Sequence, residues 1–287
     1  MFRARLVLLW CASWLLFACS SDPTRPDPIW RIQAYEAEQD GAQRYQRGDY
    51  DAASKRFATA ERLFQAIDDS LSVQRLRRHQ ARVWLSTDQA ARALAVLELP
   101  QGQQADADLR NNSLDNQLLR LQAQLQLKQI AAAASTFAAA RESCQNTCPH
   151  AASLALLGAR LALSEDRASA AVPLIESALQ QLQSGTAPRE LANAWRLLAE
   201  ARLALGETQA ALVAAHLALD QDRELALPEK ISRDWLLIGH IQRQIGAGET
   251  ALYAFKQALA IAQAAGLTEP ARAAAAALLP EQHLGTY

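Results

Sequence analysis

The sequence predicts an all-α protein built from repeated helical hairpins. Half of its 287 residues are hydrophobic, only 6% are aromatic, and alanine and leucine are abundant. Alanine and leucine are strong helix formers, whereas few segments show the alternation of β-branched residues that is typical of strands. Small and large apolar residues also recur at helical spacing in successive segments, which indicates that one unit is repeated.

The clearest unit lies between residues 235 and 258. Each of its two helices combines bulky and small residues at helical spacing: Trp235, Ile238 and Gly239 in the first helix, and Ala251, Phe255 and Ala258 in the second. The small residues let two helix backbones approach closely, while Trp235 and Phe255 fill the space beside them. This pattern resembles the tetratricopeptide repeat (TPR), whose signature is Trp-x2-Leu-Gly in the first helix and Ala-x3-Phe in the second.

The resemblance implies a right-handed α-solenoid, because one such repeat cannot bury its own apolar face. We expect about six TPR-like hairpins over residues 29–279, the last covered by a capping helix from Pro270 to about Leu279. The small residue of the second helix places the units at positions 53, 90, 133, 171, 211 and 251, in steps of 37, 43, 38, 40 and 40 residues. An irregular helical bundle is the alternative.

The remaining units repeat parts of the pattern in order along the chain. Unit one has the turn Gly48–Tyr50, and units two to four have first helices near residues 70–85, 112–127 and 151–163. Unit four also carries Pro173 early in its second helix, which we therefore expect to begin close to Ala171. Unit five is marked by Trp195, and proline- and glycine-containing loops follow units two, four and six.

Residues 1–18 are predicted to be a secretion signal. Arg3 and Arg5 precede a 13-residue apolar run, Leu6–Ala18, which is shorter than the roughly 20 residues of a membrane span. The run ends in Leu16-Phe17-Ala18-Cys19, which resembles the lipobox of bacterial lipoproteins, although Phe17 departs from the usual small or β-branched residue. The resemblance implies cleavage before Cys19 and attachment of acyl chains such as palmitate there. Ordinary secretion with an unmodified Cys19 is the alternative.

The segment after the signal, residues 19–28, is rich in proline and predicts an extended tether. Ser20 follows the cysteine, and under the enterobacterial sorting rule this residue implies an outer-membrane lipoprotein that faces the periplasm. The inner membrane and the cell surface are the alternative locations. Residues 280–287 are expected to form a C-terminal tail.

Cys144 and Cys148 form the only cysteine pair outside the first 19 residues. In an oxidising compartment, two cysteines four residues apart at a helix end predict a disulfide. A reduced pair and a metal site are the alternatives, but a zinc site would need further ligands that the sequence does not supply. No catalytic motif, metal cluster or cofactor motif is found, so we expect neither an enzyme nor a cofactor. The net charge of −1 argues against a nucleic-acid partner.

In the resembled family, the first helix of each repeat lines a concave groove that contacts a peptide or partner protein. Carried onto this sequence, the groove positions are Arg75, Arg78, His79 and Arg82 in unit two, Asn193, Arg196 and Glu200 in unit five, and Arg233, His240 and Arg243 in unit six. The arginines of unit two predict a basic patch for carboxylates or an acidic partner segment. The alternative is a solvated face that pairs with neighbouring helices.

Together these features predict a membrane-anchored scaffold or adaptor lipoprotein that binds other proteins in a bacterial envelope complex. The alternative is an accessory lipoprotein that binds a small molecule, as a receptor or a component of transport. Such a receptor would need an enclosed apolar pocket.

Overall fold

A computed structural model describes residues 28–97, 114–144, 148, 150–182 and 187–279. Within these ranges every regular element is an α-helix, and there are thirteen. They are α1 (Ile29–Gln46), α2 (Tyr50–Ala66), α3 (Ser70–Ser86), α4 (Ala90–Leu97), α5 (Leu114–Gln126), α6 (Ile130–Ser143), α7 (Ala151–Ser164), α8 (Ala168–Leu182), α9 (Pro188–Ala204), α10 (Thr208–Glu224), α11 (Pro228–Ile245), α12 (Gly248–Ala264) and α13 (Thr268–Leu278).

The helices form six consecutive antiparallel hairpins, from α1–α2 to α11–α12, and α13 covers the last one. We call them hairpins 1 to 6. The first helix of each hairpin also packs against the first helix of the next hairpin, whereas successive second helices do not touch one another in the part of the chain described. The first helices are therefore closer together and line the inner, concave face. This arrangement confirms the predicted α-solenoid of TPR-like hairpins with a capping helix.

Alanine and glycine admit the close approach of helices within each hairpin. In hairpin 6, a Cβ atom added at Gly239 would lie 2.3 Å from Cε1 of Phe255, so the ring occupies the space left by the missing side chain. Ala251 and Ala258 are buried on the facing helix. The pattern that defined this unit in the sequence is thus a packing pattern.

The hairpins follow one register more closely than the sequence predicts. In each hairpin a residue with positive φ ends the first helix, and a fully or almost fully buried alanine follows five positions later. The residues with positive φ are Gly48, Asp88, Lys128, Asp166, Gly206 and Gly246, and the alanines are Ala53, Ala93, Ala133, Ala171, Ala211 and Ala251. The steps between the alanines are 40, 40, 38, 40 and 40 residues.

The buried alanine that sets the register of hairpin 2 is therefore Ala93. The sequence pattern predicts Ala90 for this role, and that prediction is wrong by about one helical turn. Both residues are buried on the same face of α4, because they are three positions apart. Asp88 adopts the left-handed backbone that glycine provides in three other hairpins, so no glycine marks this turn in the sequence. Similarly, α8 begins at Ala168, three residues before the expected start, and Pro173 lies in its second turn.

The superhelix is tight enough for its successive turns to touch. The guanidinium of Arg189 donates a hydrogen bond to the carbonyl oxygen of Gln46 in hairpin 1. Arg233, on α11 of hairpin 6, donates to the Asp88 carboxylate of hairpin 2 at 2.6 Å. Hairpin 5 thus faces hairpin 1 and hairpin 6 faces hairpin 2, so about four hairpins complete one superhelical turn. We call these two interactions the turn-to-turn contacts.

Several predicted features lie outside the described residues. These are the secretion signal, Cys19 with most of the tether, and the C-terminal tail. Among the residues that are described, no helix is both long and apolar enough to cross a membrane. The structure bonds the sulfurs of Cys144 and Cys148, whose Cα atoms are 5.0 Å apart at the end of α6.

Candidate partner-binding surface on the inner face

Two of the predicted groove residues on α3 link hairpins 1 and 2. Arg75 makes a bidentate contact with the Glu38 carboxylate, with distances of 2.6 and 2.8 Å from Nε and one terminal nitrogen. Nε2 of His79 lies 3.5 Å from the same carboxylate. Burial alone raises the pKa of Glu38, but hydrogen bonds from Arg75 and His79 outweigh it and lower the pKa to about 2. These two side chains are therefore engaged within the array.

The other two predicted residues of α3 are less engaged. The guanidinium of Arg82 lies 3.9 Å from the carboxylate of Asp115 on α5, which makes a loose ion pair. Arg78 is half-buried and forms no ion pair with any described residue. Burial lowers the pKa of the Arg78 guanidinium. Among the nearby charges, Asp115 opposes this shift, whereas Arg82 and Arg75 add to it. Among the described residues, Arg78 is therefore the predicted groove arginine of this helix without an ion-pair partner.

Arg196 does not line the inner face, although the sequence pattern predicts that it does. It is only 7% exposed, and its guanidinium binds two buried carboxylates, with a 2.6 Å bond from Nε to Asp234 and a second bond to Asp222. It also donates to the side chain of Asn193 at 2.9 Å. Arg196 on α9 therefore joins α10 and α11, and we exclude it from the candidate surface. We call Arg196, Asp222 and Asp234 the buried triad.

The buried triad carries two carboxylates for one arginine. Burial raises the pKa of Asp234 to about 7, although Arg196 acts in the opposite direction. The second oxygen of Asp234 has no hydrogen-bond partner, which is costly for a buried carboxylate. Asp222 and Asp234 occur among polar residues at ordinary helical spacing, so no sequence pattern predicts this group.

The predicted residues of α11 have differing surroundings. Arg233 pairs with Asp88 and also with Glu229, at 3.1 Å. His240 accepts a hydrogen bond at Nδ1 from Arg243 at 2.9 Å, and its ring meets the Phe255 ring edge-on. Burial, followed by the charge of Arg243, lowers the pKa of His240, so the neutral imidazole is favoured at pH 7. On α9, Glu200 is exposed.

Two further cations on the inner face were missed in the sequence, Arg160 on α7 and Lys230 on α11. Both are half-buried, and neither forms an ion pair with a described residue. Burial lowers the pKa of Arg160, and the groups that act on it include Glu200, Arg233 and Asp88 from other hairpins. Arg160 occupies the repeat position of Arg82, Glu200 and His240, so the corrected register identifies it.

Lys230 lies in the same cationic surroundings as Arg160. The pKa of Lys230 is lowered to about 8, chiefly by burial. The charges of Arg233, Arg196 and Arg160 also lower this pKa, whereas the charge of Glu229 raises it. Most molecules therefore carry a protonated Lys230 at pH 7. The inner face can thus offer charged donors to carboxylates. In the described part of the chain, no three His, Cys, Asp or Glu side chains are grouped so that they could hold a metal ion.

Comparisons with known proteins support the fold alone. No protein-family model and no curated protein matches the chain. Among solved structures, a Rap protein complexed with Competence and Sporulation Factor superimposes with a TM-score of 0.62 at 13% identity, covering 84% of this chain and 69% of that one. The apo form of RapI gives a TM-score of 0.55 at 10% identity, covering 85% and 70%. The chain is similar to these proteins in its arrangement of TPR-like hairpins.

Proposed function

We propose that the protein is a scaffold or adaptor that binds a protein or peptide partner on its inner face. The observation that carries this proposal is the row of polar and charged side chains on the first helices, because several of them take no part in packing. Arg78, Arg160 and Lys230 are half-buried cations without a carboxylate partner among the described residues. The similar Rap protein was solved in complex with another molecule, which supports a binding role for this architecture.

We further propose that the protein is anchored to a membrane. In this proposal Cys19 carries acyl chains and the tether holds the solenoid on the periplasmic side of the outer membrane. Two or more acyl chains give stable anchoring, whereas a single chain is marginal. Anchoring raises the local concentration of the solenoid near envelope partners, so a modest affinity is sufficient for assembly. A disulfide between Cys144 and Cys148 suits the same oxidising compartment.

A photo-crosslinking experiment tests the binding surface. A crosslinking amino acid replaces Glu200 on the inner face or Lys256 on the outer helix α12, both of which are exposed. After irradiation of intact cells, we expect the position 200 variant to capture one stoichiometric protein and the position 256 variant to capture none. Equal capture at both positions, or capture at position 256 alone, would contradict binding on the inner face. If neither position captures a protein, the small-molecule receptor becomes the better interpretation.

A separate experiment tests the anchor. Cells are labelled with a palmitate analogue, and the wild-type protein is compared with Cys19→Ala. We expect labelling and membrane association of the wild type and loss of both in the variant. Unchanged labelling of the variant would refute lipidation at this position while leaving the binding surface untested by this measurement.

A further inference from the structure

The N-terminal end of the array exposes a cluster of large apolar side chains. Four of them lie in the first two turns of α1 and a fifth lies in the first turn of α3, and all are between 44% and 66% exposed. We call these residues the apolar tip: Ile29, Trp30, Ile32, Tyr35 and Leu71. Single exposed apolar residues are ordinary on a protein surface, whereas a cluster of this kind indicates an interaction surface.

Contacts between α1 and α3 bring the two parts of the apolar tip together. On α3, Cζ of Arg75 lies 5.9 Å from the centroid of the Tyr35 ring on α1, and Arg75 also binds Glu38, about one turn farther along α1. The two helices run in the same direction because each packs antiparallel to α2. Leu71 lies one turn before Arg75, and Ile32 lies nearly one turn before Tyr35. The apolar tip is therefore one surface, at the edge of the array where the first helices begin.

The opposite end of the array has a different outer face. Within α13 the exposed side chains are mainly alanines and polar or charged residues such as Glu269 and Arg272, and Leu279 follows the helix as an exposed large apolar residue. The terminal unit of a repeat array needs a polar outer face to be soluble in water. The apolar tip lacks such a face, and the connecting residues 20–28 contain no large apolar side chain that could cover it. This asymmetry favours a surface outside the chain as the cover.

We propose that the apolar tip inserts into the surface of the membrane that carries Cys19, so that the array stands on the bilayer with the N-termini of its first helices toward the lipid. This inference rests on the proposed function, because the anchor at Cys19 is part of that proposal. It adds a second membrane contact and an orientation of the array.

The anchor keeps the apolar tip close to the bilayer. Ile29 follows Cys19 by ten residues. A fully extended chain covers at most about 3.6 Å per residue, so Ile29 lies within about 36 Å of the acylated cysteine. Over so short a reach the effective concentration of lipid is high, and a contact that is weak by itself is well occupied. The bilayer is thus the occupant that the chain itself holds beside the tip.

The residue types of the apolar tip suit the interfacial zone of a bilayer. Tryptophan and tyrosine combine an apolar ring with a polar N–H or O–H, and both are enriched where lipid headgroups meet the acyl chains. Isoleucine supplies apolar side chains that enter the acyl boundary. The first turn of α1 contains no acidic residue that anionic headgroups would repel, and Arg31 lies between Trp30 and Ile32. This combination favours a shallow contact with lipid.

Lipid crosslinking in intact cells tests the contact. A photo-crosslinking amino acid replaces Trp30 or the control Tyr253 on α12, and these two side chains are 52% and 57% exposed. After irradiation, the purified protein is analysed by mass spectrometry. We expect phospholipid adducts at position 30 and none at position 253. The proposal is overturned by equal lipid adducts at both positions, by no adduct at position 30, or by capture there of a protein, including a second copy of this chain, in place of lipid.

Fluorescence quenching by brominated phospholipid tests the insertion of Trp30. The lipidated full chain is reconstituted into vesicles of phosphatidylethanolamine and phosphatidylglycerol. The wild type is compared with Ile29→Asp/Ile32→Asp and with the control Val213→Asp/Leu252→Asp, whose residues are similarly exposed. Because all four side chains are exposed, both variants should retain the helical circular dichroism and thermal unfolding of the wild type. We expect several-fold weaker quenching in the first variant and unchanged quenching in the control. Absence of quenching in the wild type, or equal quenching in all three proteins, would overturn the insertion.

These outcomes are separable from those of the anchor experiment. Palmitate labelling at Cys19 without lipid adducts at position 30 would leave the anchor intact and overturn the contact of the apolar tip. Lipid adducts at position 30 without labelling at Cys19 would support the contact and contradict the proposed anchor.

Discussion

Replacement of Arg196 by methionine should destabilise α9 to α11 by an amount that depends on pH. Without the arginine, Asp222 and Asp234 must be protonated to remain buried, because their side chains are 2% and 0% exposed. Burial already raises the pKa of Asp234 to about 7, so its protonation costs little at pH 7. The cost is therefore close to that of protonating one ordinary aspartate, about 4 kcal/mol at pH 7 and about 1.5 kcal/mol at pH 5.

The value at pH 7 agrees with the roughly 3–5 kcal/mol that is lost when one partner of a buried ion pair is removed. The assay is urea unfolding at both pH values, followed by tryptophan fluorescence and by hydrogen exchange. Hydrogen exchange is needed because repeat arrays can unfold in parts, and the loss should then concentrate in hairpins 5 and 6. An equal loss at pH 5 and pH 7 would refute the charge argument and indicate lost packing only.

Two further variants control this prediction. Arg202→Met alters another arginine of α9, whose partners Glu176 and Glu207 are exposed, and should cost less than about 1 kcal/mol. The triple variant Arg196→Met/Asp222→Asn/Asp234→Asn removes all three charges with little change of volume. It should recover most of the stability at pH 7 and lose the pH dependence. Failure of the triple variant to recover would show that uncompensated carboxylates are not the main cost.

Two other predictions follow from the packing and the charges. Gly239→Ala should cost about 1–3 kcal/mol in urea unfolding because the added methyl group meets the Phe255 ring, whereas Gly248→Ala, with no atom nearby, should be neutral or slightly stabilising. Glu38→Gln should cost about 1 kcal/mol at pH 7, and its difference from wild type should vanish as the pH falls from about 4 to about 2, because the depressed pKa of Glu38 confines its contribution to higher pH. A Gly239→Ala protein as stable as wild type, or a deficit for Glu38→Gln that does not change with pH, would contradict the corresponding reasoning.

The sequence predicts the hairpins well because their packing is local. The Trp235, Gly239 and Phe255 pattern reports which faces of two neighbouring helices meet. In the structure, the buried alanine that marks each hairpin recurs every 38 to 40 residues. Hairpin 2 was placed one helical turn too early because Asp88, with φ of 55°, replaces the glycine that marks other turns. A search for glycine cannot find a turn that an aspartate makes.

The site was harder to predict because its contacts join hairpins. Arg196 has the spacing of a groove residue, but its role depends on Asp222 and Asp234, which lie 26 and 38 positions away. Arg160 was missed because hairpin 4 lacks the tryptophan that marks hairpins 5 and 6. The contact of Arg233 with Asp88 depends on the pitch of the superhelix. Because the pitch results from small rotations between several successive hairpins, the sequence of one repeat does not predict it.

The turn-to-turn contacts also have a consequence for the order of folding. Most contacts of the array join neighbouring helices, so the entropic cost of closing each chain segment is small and the hairpins can form rapidly. The bonds from Arg189 to Gln46 and from Arg233 to Asp88 instead span 143 and 145 residues. We expect them to form last, after hairpins 5 and 6 are complete. A chain that emerges from a ribosome or a secretion channel with its N-terminus first would therefore fold its early hairpins as an open coil and tighten only when the last hairpins arrive.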